Sequence, residues 1–283
     1  MSFVHSHEHA ARPHVHEGDP LLTKRDMPHA GDDDGAAASH PADLHHPRHE
    51  SAHPLIEFRD FCYAYESEPV LRHIDLEIDA GDSVVLMGYN GSGKSTLLKA
   101  MNGLVFPQQG AYLFDGTAVT PETMKDQAFA KRLHQRVGFI FQDSDAQLFC
   151  SSVEEEVAFG PRQMGLPEDE VERRVADACR LLGIERLRKR APYHLSGGEK
   201  KKTAIACILS MNPDVYCFDE PLNGLDVKTR DWLYGFLQTL KESGKTLIVS
   251  THDQSLADAL ADYFVYMGEM HEYSDMPHVH INR

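Results

Sequence analysis

A glycine-rich stretch at residues 88–96, "GYNGSGKST", carries the clearest chemistry in the chain. It fits the pattern G-x-x-x-x-G-K-[ST], and it lies between an apolar run that predicts a buried strand (83–88) and a helix-like segment. Glycines let a loop turn its N–H groups toward a phosphate without Cβ clashes, and the following helix adds the positive end of its dipole. The stretch therefore predicts a binding site for a nucleoside triphosphate.

The same loop offers side chains for the terminal phosphates and for magnesium. Lys94 can reach the β- and γ-phosphates, and the Ser95 hydroxyl can hold Mg²⁺. We expect a nucleoside triphosphate and Mg²⁺ to be the cofactors, and the family resemblance that follows implies that the nucleotide is ATP. The loop residues predicted to bind the nucleotide are Asn90, Gly91, Ser92, Gly93, Lys94, Ser95 and Thr96.

An acidic pair ends a second apolar run, "VYCFDEP" at 215–221. If the run is a strand of a parallel sheet, its carboxyl end lies beside the phosphate loop, where such sheets bind ligands. Asp219 then suits the water-mediated shell of Mg²⁺, and Glu220 can act as general base on the attacking water. An acidic pair after a strand is common by itself, so this prediction depends on its neighbours.

Three further stretches surround the acidic pair: "LSGGEKKK" (195–202), "NGLD" (223–226) and "VSTHD" (249–253). Their order and spacing resemble the nucleotide-binding subunit of ATP-binding cassette (ABC) transporters over about residues 55–268. The LSGG element separates that family from other phosphate-loop ATPases. The resemblance implies an α/β phosphate-loop ATPase with a mostly parallel sheet core, an antiparallel β subdomain and a helical subdomain.

The resemblance also implies roles for individual residues. Ser196, Gly197 and Gly198 would open a helix whose N-terminus caps the γ-phosphate bound by a second copy. Asp226 resembles the residue that links the two sites of such a dimer, and His252 resembles the switch histidine that contacts the γ-phosphate.

Two more site residues come from the same resemblance. Gln142 is similar to the glutamine that touches Mg²⁺ and the attacking water and reports to the membrane partner. Tyr65 is similar to the aromatic residue that stacks on adenine, with Tyr63 as the alternative. Glu199 replaces the more usual glutamine of the signature, and we expect the lysines at 200–202 to form a solvated helix face.

Strand-like and helix-like segments alternate through the part of the chain that must position these residues, which predicts a mostly parallel α/β sheet. The predicted strands are 55–65, 70–78, 83–88, 137–141, 215–218, 246–250 and 263–267. The predicted helices are 153–165, 168–182, 197–210 and 228–242.

Composition divides the chain into three parts. Residues 1–53 hold 11 of the 18 histidines among Asp, Ala, Gly and Pro, and we expect a disordered tail because little apolar area can be buried there. Residues 54–270 form the predicted ATP-binding domain, with a helical subdomain at about 143–195, and 271–283 form a short C-terminal tail.

The histidines of the first part suit borderline metals such as Ni²⁺, Co²⁺, Zn²⁺ and Cu²⁺. A flexible tail would bind such ions weakly and in many geometries. A tail without function and a cloning leftover remain open as alternatives. The candidate ligands in this tail are His5, His7, His9, His14 and His16, accompanied by His45, His46, His49 and His53.

Net charge, hydropathy and cysteine content limit the kinds of partner that we expect. A formal charge of -16 argues against nucleic acid, and no stretch approaches the roughly 18 to 20 apolar residues that span a bilayer. Five scattered cysteines without a C-x-x-C pair fit reduced thiols. These properties fit a cytosolic chain, and the family resemblance implies a peripheral subunit at the cytoplasmic face of the cell membrane, working as a homodimer or heterodimer on integral membrane subunits.

A further resemblance bears on the cargo. The stretch at 141–160, "FQDSDAQLFCSSVEEEVAFG", resembles energy-coupling-factor importers, a group that includes nickel and cobalt systems as well as vitamin importers. With the histidine-rich tail, this favours the ATPase subunit of a nickel or cobalt importer. The alternatives are an importer for another cargo, such as a vitamin, and a soluble metal-binding regulator switched by ATP.

Overall fold

The computed structural model of the protein describes residues 53–268 and the backbone of 279–282. The predicted histidine-rich tail, including the candidate ligands from His5 to His49, lies outside the described residues. His53 is described, and it is exposed beside Asp115.

Two sheets form the framework of the described residues. The strands are β1 (Ile56–Tyr65), β2 (Glu68–Ile78), β3 (Ser83–Gly88), β4 (Gln109–Phe114), β5 (Thr117–Ala118), β6 (Val137–Ile140), β7 (Val215–Asp219), β8 (Thr246–Ser250), β9 (Tyr263–Met267) and β10 (Val279–Asn282). The first sheet is antiparallel, in the order β2-β1-β4-β5. The second has the order β10-β9-β3-β8-β7-β6, and only the β10–β9 pair in it is antiparallel.

The parallel sheet is covered on both faces, which explains the continuous apolar runs of its strands. Every residue of β7 and β8 is buried, whereas β1 and β2 mix buried and exposed positions. Parallel strands need crossover connections, and helices supply them. The helices are α1 (Lys94–Met101), α2 (Gln127–Arg136), α3 (Val153–Met164), α4 (Glu168–Leu182), α5 (Gly197–Leu209), α6 (Val227–Glu242) and α7 (Gln254–Leu260).

The helices α3, α4 and α5 pack on one another and form the helical part of the domain. The side chain of Ser152 caps α3 by accepting from the Glu155 N–H, and Gly165 and Gly183 end α3 and α4 in the left-handed conformation. No helix in the described part of the chain has both the length and the apolar character needed to cross a bilayer.

All seven predicted strands and all four predicted helices are confirmed, with ends within two residues of the prediction. The sequence analysis missed β4, β5, α2, α7 and β10. The helix α2 was missed because only Phe129 and Leu133 of its ten residues are buried, and α7 has seven residues, too few to establish a helical period.

Candidate functional site

A cavity of about 310 Å³ lies where the carboxyl ends of the parallel strands meet the start of α1. The sequence predicted every residue that lines it except Val70 and Asn223. Asn223 could have been found from its place in the "NGLD" stretch, whereas no local signal marks Val70. The lining residues are Val70, Asn90, Gly91, Gly93, Lys94, Ser95, Thr96, Gln142, Glu220, Asn223 and His252.

Glycine is required at two turns of the phosphate loop. Gly88 has φ 149°, and a Cβ there would lie 2.4 Å from the carbonyl oxygen of Met267. Gly93 precedes α1 in the left-handed conformation, and a Cβ there would lie 2.8 Å from Cδ2 of Leu71. The loop can therefore pass close to β9 and β2 only because these positions have no side chain.

Lys94 is held inside the loop by the loop's own carbonyls. Its buried Nζ donates to the carbonyl oxygens of Gly88 at 2.8 Å and Tyr89 at 2.9 Å. An ammonium fixed in this way needs little rearrangement to meet phosphate oxygens at the helix N-terminus.

The acidic pair at the end of β7 is buried and braced by β8. Oδ1 of Asp219 accepts from the Ser250 hydroxyl at 2.6 Å. The Glu220 N–H lies 3.1 Å from the Ser250 carbonyl oxygen and 3.0 Å from the Ser250 Oγ. Glu220 has φ 42°, a left-handed conformation that costs on the order of 1–3 kcal/mol for a non-glycine residue and that recurs at functional sites.

One oxygen of Glu220 is paired and the other is not. Oε2 lies 2.9 Å from Nδ1 of His252, whereas the buried Oε1 has no hydrogen-bond partner among the described residues. An unpartnered buried carboxylate oxygen at a polar cavity is a ready acceptor for a water molecule. The arrangement can orient a water and accept its proton.

The residues present suit a magnesium ion. Ser95 and Gln142 line the same cavity and offer a hydroxyl and an amide oxygen, the ligand type that Mg²⁺ takes. Asp219 does not line the cavity, and its carboxylate is held by Ser250 beside Glu220. This position agrees with an outer-shell role for Asp219 rather than a direct one.

The signature residues lie outside the cavity, at the exposed start of α5. Ser196 caps the helix in a reciprocal pair: its Oγ accepts from the Glu199 N–H, and Glu199 Oε2 accepts from the Ser196 N–H at 2.9 Å. The hydrogen bonds that the Glu199 carboxylate accepts, first from the Ser196 N–H and then from the Ser196 hydroxyl, lower the pKa of Glu199. Glu199, which stands where the family more often has glutamine, therefore helps to cap the helix that carries the signature.

Asp226 shares this outer surface. It caps α6 by accepting from the Thr229 N–H at 3.1 Å and the Thr229 hydroxyl at 2.8 Å, and it is exposed. The start of α5 lies against the same threonine, because a Cβ on Gly198 would lie 2.8 Å from Thr229 Oγ1. The structure thus places Asp226 and the signature together, and neither lines the cavity that contains Glu220.

The two candidate aromatic residues form an edge-to-face pair, with ring centroids 4.9 Å apart. Neither Tyr63 nor Tyr65 lines the cavity. Tyr65 is 41% exposed, whereas Tyr63 packs against the core and burial raises its pKa. Tyr65 therefore offers the more accessible ring for stacking.

The expectation that the lysines at 200–202 form a solvated face is wrong. Lys201 is 2% exposed, and its Nζ donates to the carbonyl oxygens of Phe141 at 3.1 Å and Gln142 at 3.0 Å. Lys200 forms an ion pair with Asp145, and Nζ of Lys202 lies 4.3 Å from the ring centroid of Trp232. Desolvation lowers the pKa of Lys201 to about 8. The prediction failed because three consecutive residues of a helix point in different directions, so the three lysines cannot all lie on one solvated face.

Comparison with known proteins agrees with this geometry. The family model described as "ABC transporter" matches residues 71–223. The chain is 43% identical over 218 residues to the nickel import ATP-binding protein LarO of Lactiplantibacillus plantarum, covering 77% of this chain and 90% of LarO. It is 44% identical over 209 residues to the energy-coupling factor transporter ATP-binding protein EcfA of Methanothermobacter thermautotrophicus, covering 74% of this chain and 66% of EcfA.

Solved structures give the same result. CbiO1 from Clostridium perfringens, described as part of the ABC transporter complex CbiONQ, aligns with a TM-score of 0.66 at 34% identity, covering 76% of this chain and 84% of CbiO1. The ATP-binding cassette MJ0796, in a dimeric post-hydrolysis state bound to ADP and phosphate, aligns with a TM-score of 0.67 at 28% identity, covering 75% of this chain and 93% of MJ0796. The predicted fold class is confirmed.

Proposed function

Because this chain belongs to the ABC transporter family of ATP-binding proteins, and is an ATPase subunit of that kind, we propose that it energises import of a divalent transition metal, nickel or cobalt. The observation that carries the hydrolytic part is the meeting of Glu220 and His252 with Lys94 in one cavity. The cargo is supported by the likeness to LarO, which is named as a nickel import ATP-binding protein.

Nucleotide binding begins at the phosphate loop. The phosphates enter against the N–H groups of Asn90 to Thr96, and Lys94 exchanges its carbonyl partners at Gly88 and Tyr89 for the β- and γ-phosphate oxygens. Tyr65 stacks on the base with its exposed ring. Ser95 and Gln142 would hold Mg²⁺, with Asp219 acting through water, and the bound ion supplies neutralisation of the phosphate charge.

Hydrolysis uses the free oxygen of Glu220. Oε1 accepts the proton of the attacking water, and Gln142 helps to orient that water. His252 holds Oε2 through Nδ1, which leaves its Nε2 to contact the γ-phosphate. Ser250 donates a hydrogen bond to Asp219 and accepts one from the Glu220 N–H, which fixes the Asp219 carboxylate and the backbone at Glu220.

A second copy completes the site. The exposed helix start formed by Ser196, Gly197 and Gly198 has no nucleotide of its own to meet, since none of the three lines the cavity. In a head-to-tail dimer it caps the γ-phosphate of the neighbour, and Asp226 connects the two sites. The dimeric state of the MJ0796 structure supports this arrangement. ATP binding then closes the dimer and hydrolysis reopens it.

The helical part of the domain provides a surface for membrane subunits. Phe149 and Phe159 form an edge-to-face pair with centroids 5.1 Å apart, and both are exposed. Exposed aromatic pairs are typical of protein contacts. Lys201 holds the carbonyls of Phe141 and Gln142, so the segment next to this surface is tied to the signature helix. We propose that the protein works as a peripheral subunit at the cytoplasmic face of the membrane.

Uptake measurements test the cargo. Nickel and cobalt accumulation should be compared in cells that carry this chain with its membrane subunits and in cells that carry Glu220→Gln. Loss of uptake of one metal with the variant identifies the cargo. Normal uptake of both metals with the variant would contradict a metal importer and favour another cargo, such as the vitamins carried by some importers of this group.

The histidine-rich tail has a proposed role of its own, as a weak cytosolic buffer or sensor of the transported metal. Its motivation is the combination of an importer-type cassette with the ligands at His5, His7, His9, His14 and His16. Deleting residues 2–53 should change the metal dependence of transport and leave basal ATP hydrolysis nearly intact. Loss of basal hydrolysis would mean that the tail is structural.

A further inference from the structure

Three different metal-ligand side chains meet on the antiparallel sheet, outside the ATP cavity. Asp60 and Cys62 belong to β1 and His73 belongs to β2. One ligand atom from each, a carboxylate oxygen, Sγ and an imidazole nitrogen, lies within 4.8 Å of the other two. Within the described residues, this is the group of three or more His, Cys, Asp or Glu side chains with such spacing.

Irregular pairing of β1 with β2 brings these residues together. The register shifts between Phe58 and Phe61 and again between Phe61 and Tyr63. Asp60 at φ 47° and His73 at φ 49° both adopt the left-handed conformation. Bulges of this kind re-aim side chains, and here they direct the side chains of both strands to one point.

We propose that Asp60, Cys62 and His73 bind one borderline divalent transition-metal ion, of the class Ni²⁺, Co²⁺ or Zn²⁺. A donor set of one nitrogen, one sulfur and one oxygen suits these ions and is poorly matched to Mg²⁺ or Ca²⁺, which prefer oxygen alone. The proposal concerns a site separate from the ATP cavity and does not depend on the transported cargo.

A hydrogen bond joins two of the three proposed ligands. Nδ1 of His73 lies 2.6 Å from Oδ1 of Asp60. Two ligands bound at about 2.1 Å in a tetrahedral site lie about 3.4 Å apart, so an ion requires these atoms to separate by less than about 1 Å. The side chains of His73 and Asp60 are 48% and 51% exposed, and they have the freedom to make that movement.

Neighbouring groups support the ligands. The His73 N–H donates to Cys62 Sγ at 3.1 Å, which favours negative charge on sulfur. Gln109 Nε2 donates to Oδ2 of Asp60 at 2.7 Å, and the Asp60 N–H donates to Asp75 Oδ1 at 2.8 Å. When the ion binds, Cys62 gives up its thiol proton to solvent and His73 binds as a neutral imidazole, and no oxidation occurs.

Three protein ligands on an exposed sheet leave coordination positions for water. Closed structural sites use four protein ligands, so this site is expected to exchange its ion. It lies on the same two strands that carry Tyr65 and Val70, and is therefore connected by backbone to the nucleotide cavity.

Cobalt spectroscopy on the full, reduced chain tests the proposal, because only a thiolate ligand gives a sulfur-to-cobalt charge-transfer band in the near ultraviolet. The histidines of the chain cannot produce that band. We expect Co²⁺ to produce it in the unaltered chain and in Cys150→Ser, and Cys62→Ser to abolish it. Cys150 is a suitable control because it is also half-buried, and burial raises the pKa of its thiol to about 11.

A second variant separates ligation by His73 from a structural effect. Asn tolerates the left-handed conformation, so His73→Asn should preserve the hairpin while removing the ring nitrogen. We expect the Co²⁺ concentration for half-maximal charge-transfer absorbance to rise about tenfold or more, with the exposed His194→Asn unchanged. Absence of the band, its survival in Cys62→Ser, or an unchanged midpoint in His73→Asn would overturn the proposal. Unchanged thermal unfolding and ATPase activity verify that each variant is folded.

Discussion

The cavity at the phosphate loop and the exposed start of α5 differ in how their polar groups are satisfied. At and beside the cavity, the buried Asp219 and Glu220 are held by Ser250 on a different strand, and the buried Lys94 is held by carbonyl oxygens of the phosphate loop. At the starts of α5 and α6, Ser196 and Asp226 are exposed, and the side chain of each pairs only with the residue three positions further along the chain. One region is fixed by the fold, and the other is fixed only by helix capping.

The difference matches two separate tasks in hydrolysis. Groups that move protons must keep their geometry before substrate arrives, so they lie in the core. A helix start that meets the nucleotide of another copy must remain open to it, so it can be capped but not buried. Glu220→Gln acts on the cavity, Gly197→Ala and Glu199→Gln act on the start of α5, and Lys201→Met acts where the two regions meet.

Glu220→Gln should have the largest effect, because it removes the proton acceptor and keeps the shape of the side chain. We expect ATP hydrolysis to fall by about 10²–10⁴-fold, with ATP affinity retained, as measured by phosphate release and equilibrium binding. Glu242→Gln, at the exposed end of α6, is the matched control. Near-normal hydrolysis by Glu220→Gln would show that the base is elsewhere.

Gly197→Ala tests the outward region alone. A Cβ at Gly197 meets no atom within 4 Å in the single chain, so thermal stability should not fall. In a closed dimer the methyl group would meet the nucleotide of the neighbour, and a misfit of about 1–3 kcal/mol would slow hydrolysis by roughly 5- to 150-fold.

The control for that variant is Gly235→Ala. Gly235 lies inside α6 and also has open space around an added Cβ. Alanine should leave hydrolysis unchanged and raise stability by roughly 0.5–1 kcal/mol. If Gly197→Ala hydrolyses ATP at the normal rate at high protein concentration, the helix start does not approach a second nucleotide.

Much of the cavity could be predicted from the sequence because its elements carry local signals. The phosphate loop has a recognisable glycine pattern, and β7 and β8 are apolar runs that end at Asp219 and Ser250. Nine of the eleven residues that line the cavity were named in advance, Gln142 and His252 only through the family resemblance, and Val70 and Asn223 were not.

The remaining features depend on contacts that no local pattern encodes. Lys201 reaches carbonyls some 60 positions away, at Phe141 and Gln142, and such a pairing is set by how α5 packs. The cluster of Asp60 and Cys62 with His73 arises from register shifts between β1 and β2. A single sequence contains the residues but not the registers that bring them together.

Lys201→Met removes a contact between the two regions, because Lys201 of α5 donates to the carbonyl oxygen of Gln142, which lines the cavity. Loss of the donor to the Gln142 carbonyl should lower hydrolysis several-fold. The pKa of Lys201 is about 8 in the folded chain against an ordinary value of 10.5, so between those pH values the unfolded chain binds more protons and stability rises with pH. The variant should lose that contribution.

Thermal unfolding measured across that pH range checks the result. Lys200→Met is the control, since Lys200 forms an ion pair with Asp145 near the surface and should keep the pH-dependent rise. A rise of the same size in Lys201→Met would mean that the buried ammonium is not its source.

The smallest effect is expected from Glu199→Gln, which changes the cap of α5 without removing it. A glutamine oxygen can still accept from the Ser196 N–H, so only the charge at the helix N-terminus is lost, worth about 0.3–1 kcal/mol. Because the folded pKa of Glu199 is lowered, its stabilisation is present above the ordinary value of 4.5 and is lost as pH falls through the folded pKa. Denaturant unfolding at neutral and acidic pH should show this loss in the unaltered chain alone, with hydrolysis in the variant unchanged within about twofold. A tenfold change in hydrolysis would instead mean that the carboxylate meets the neighbour's nucleotide, and the start of α5 would then supply chemistry as well as a cap.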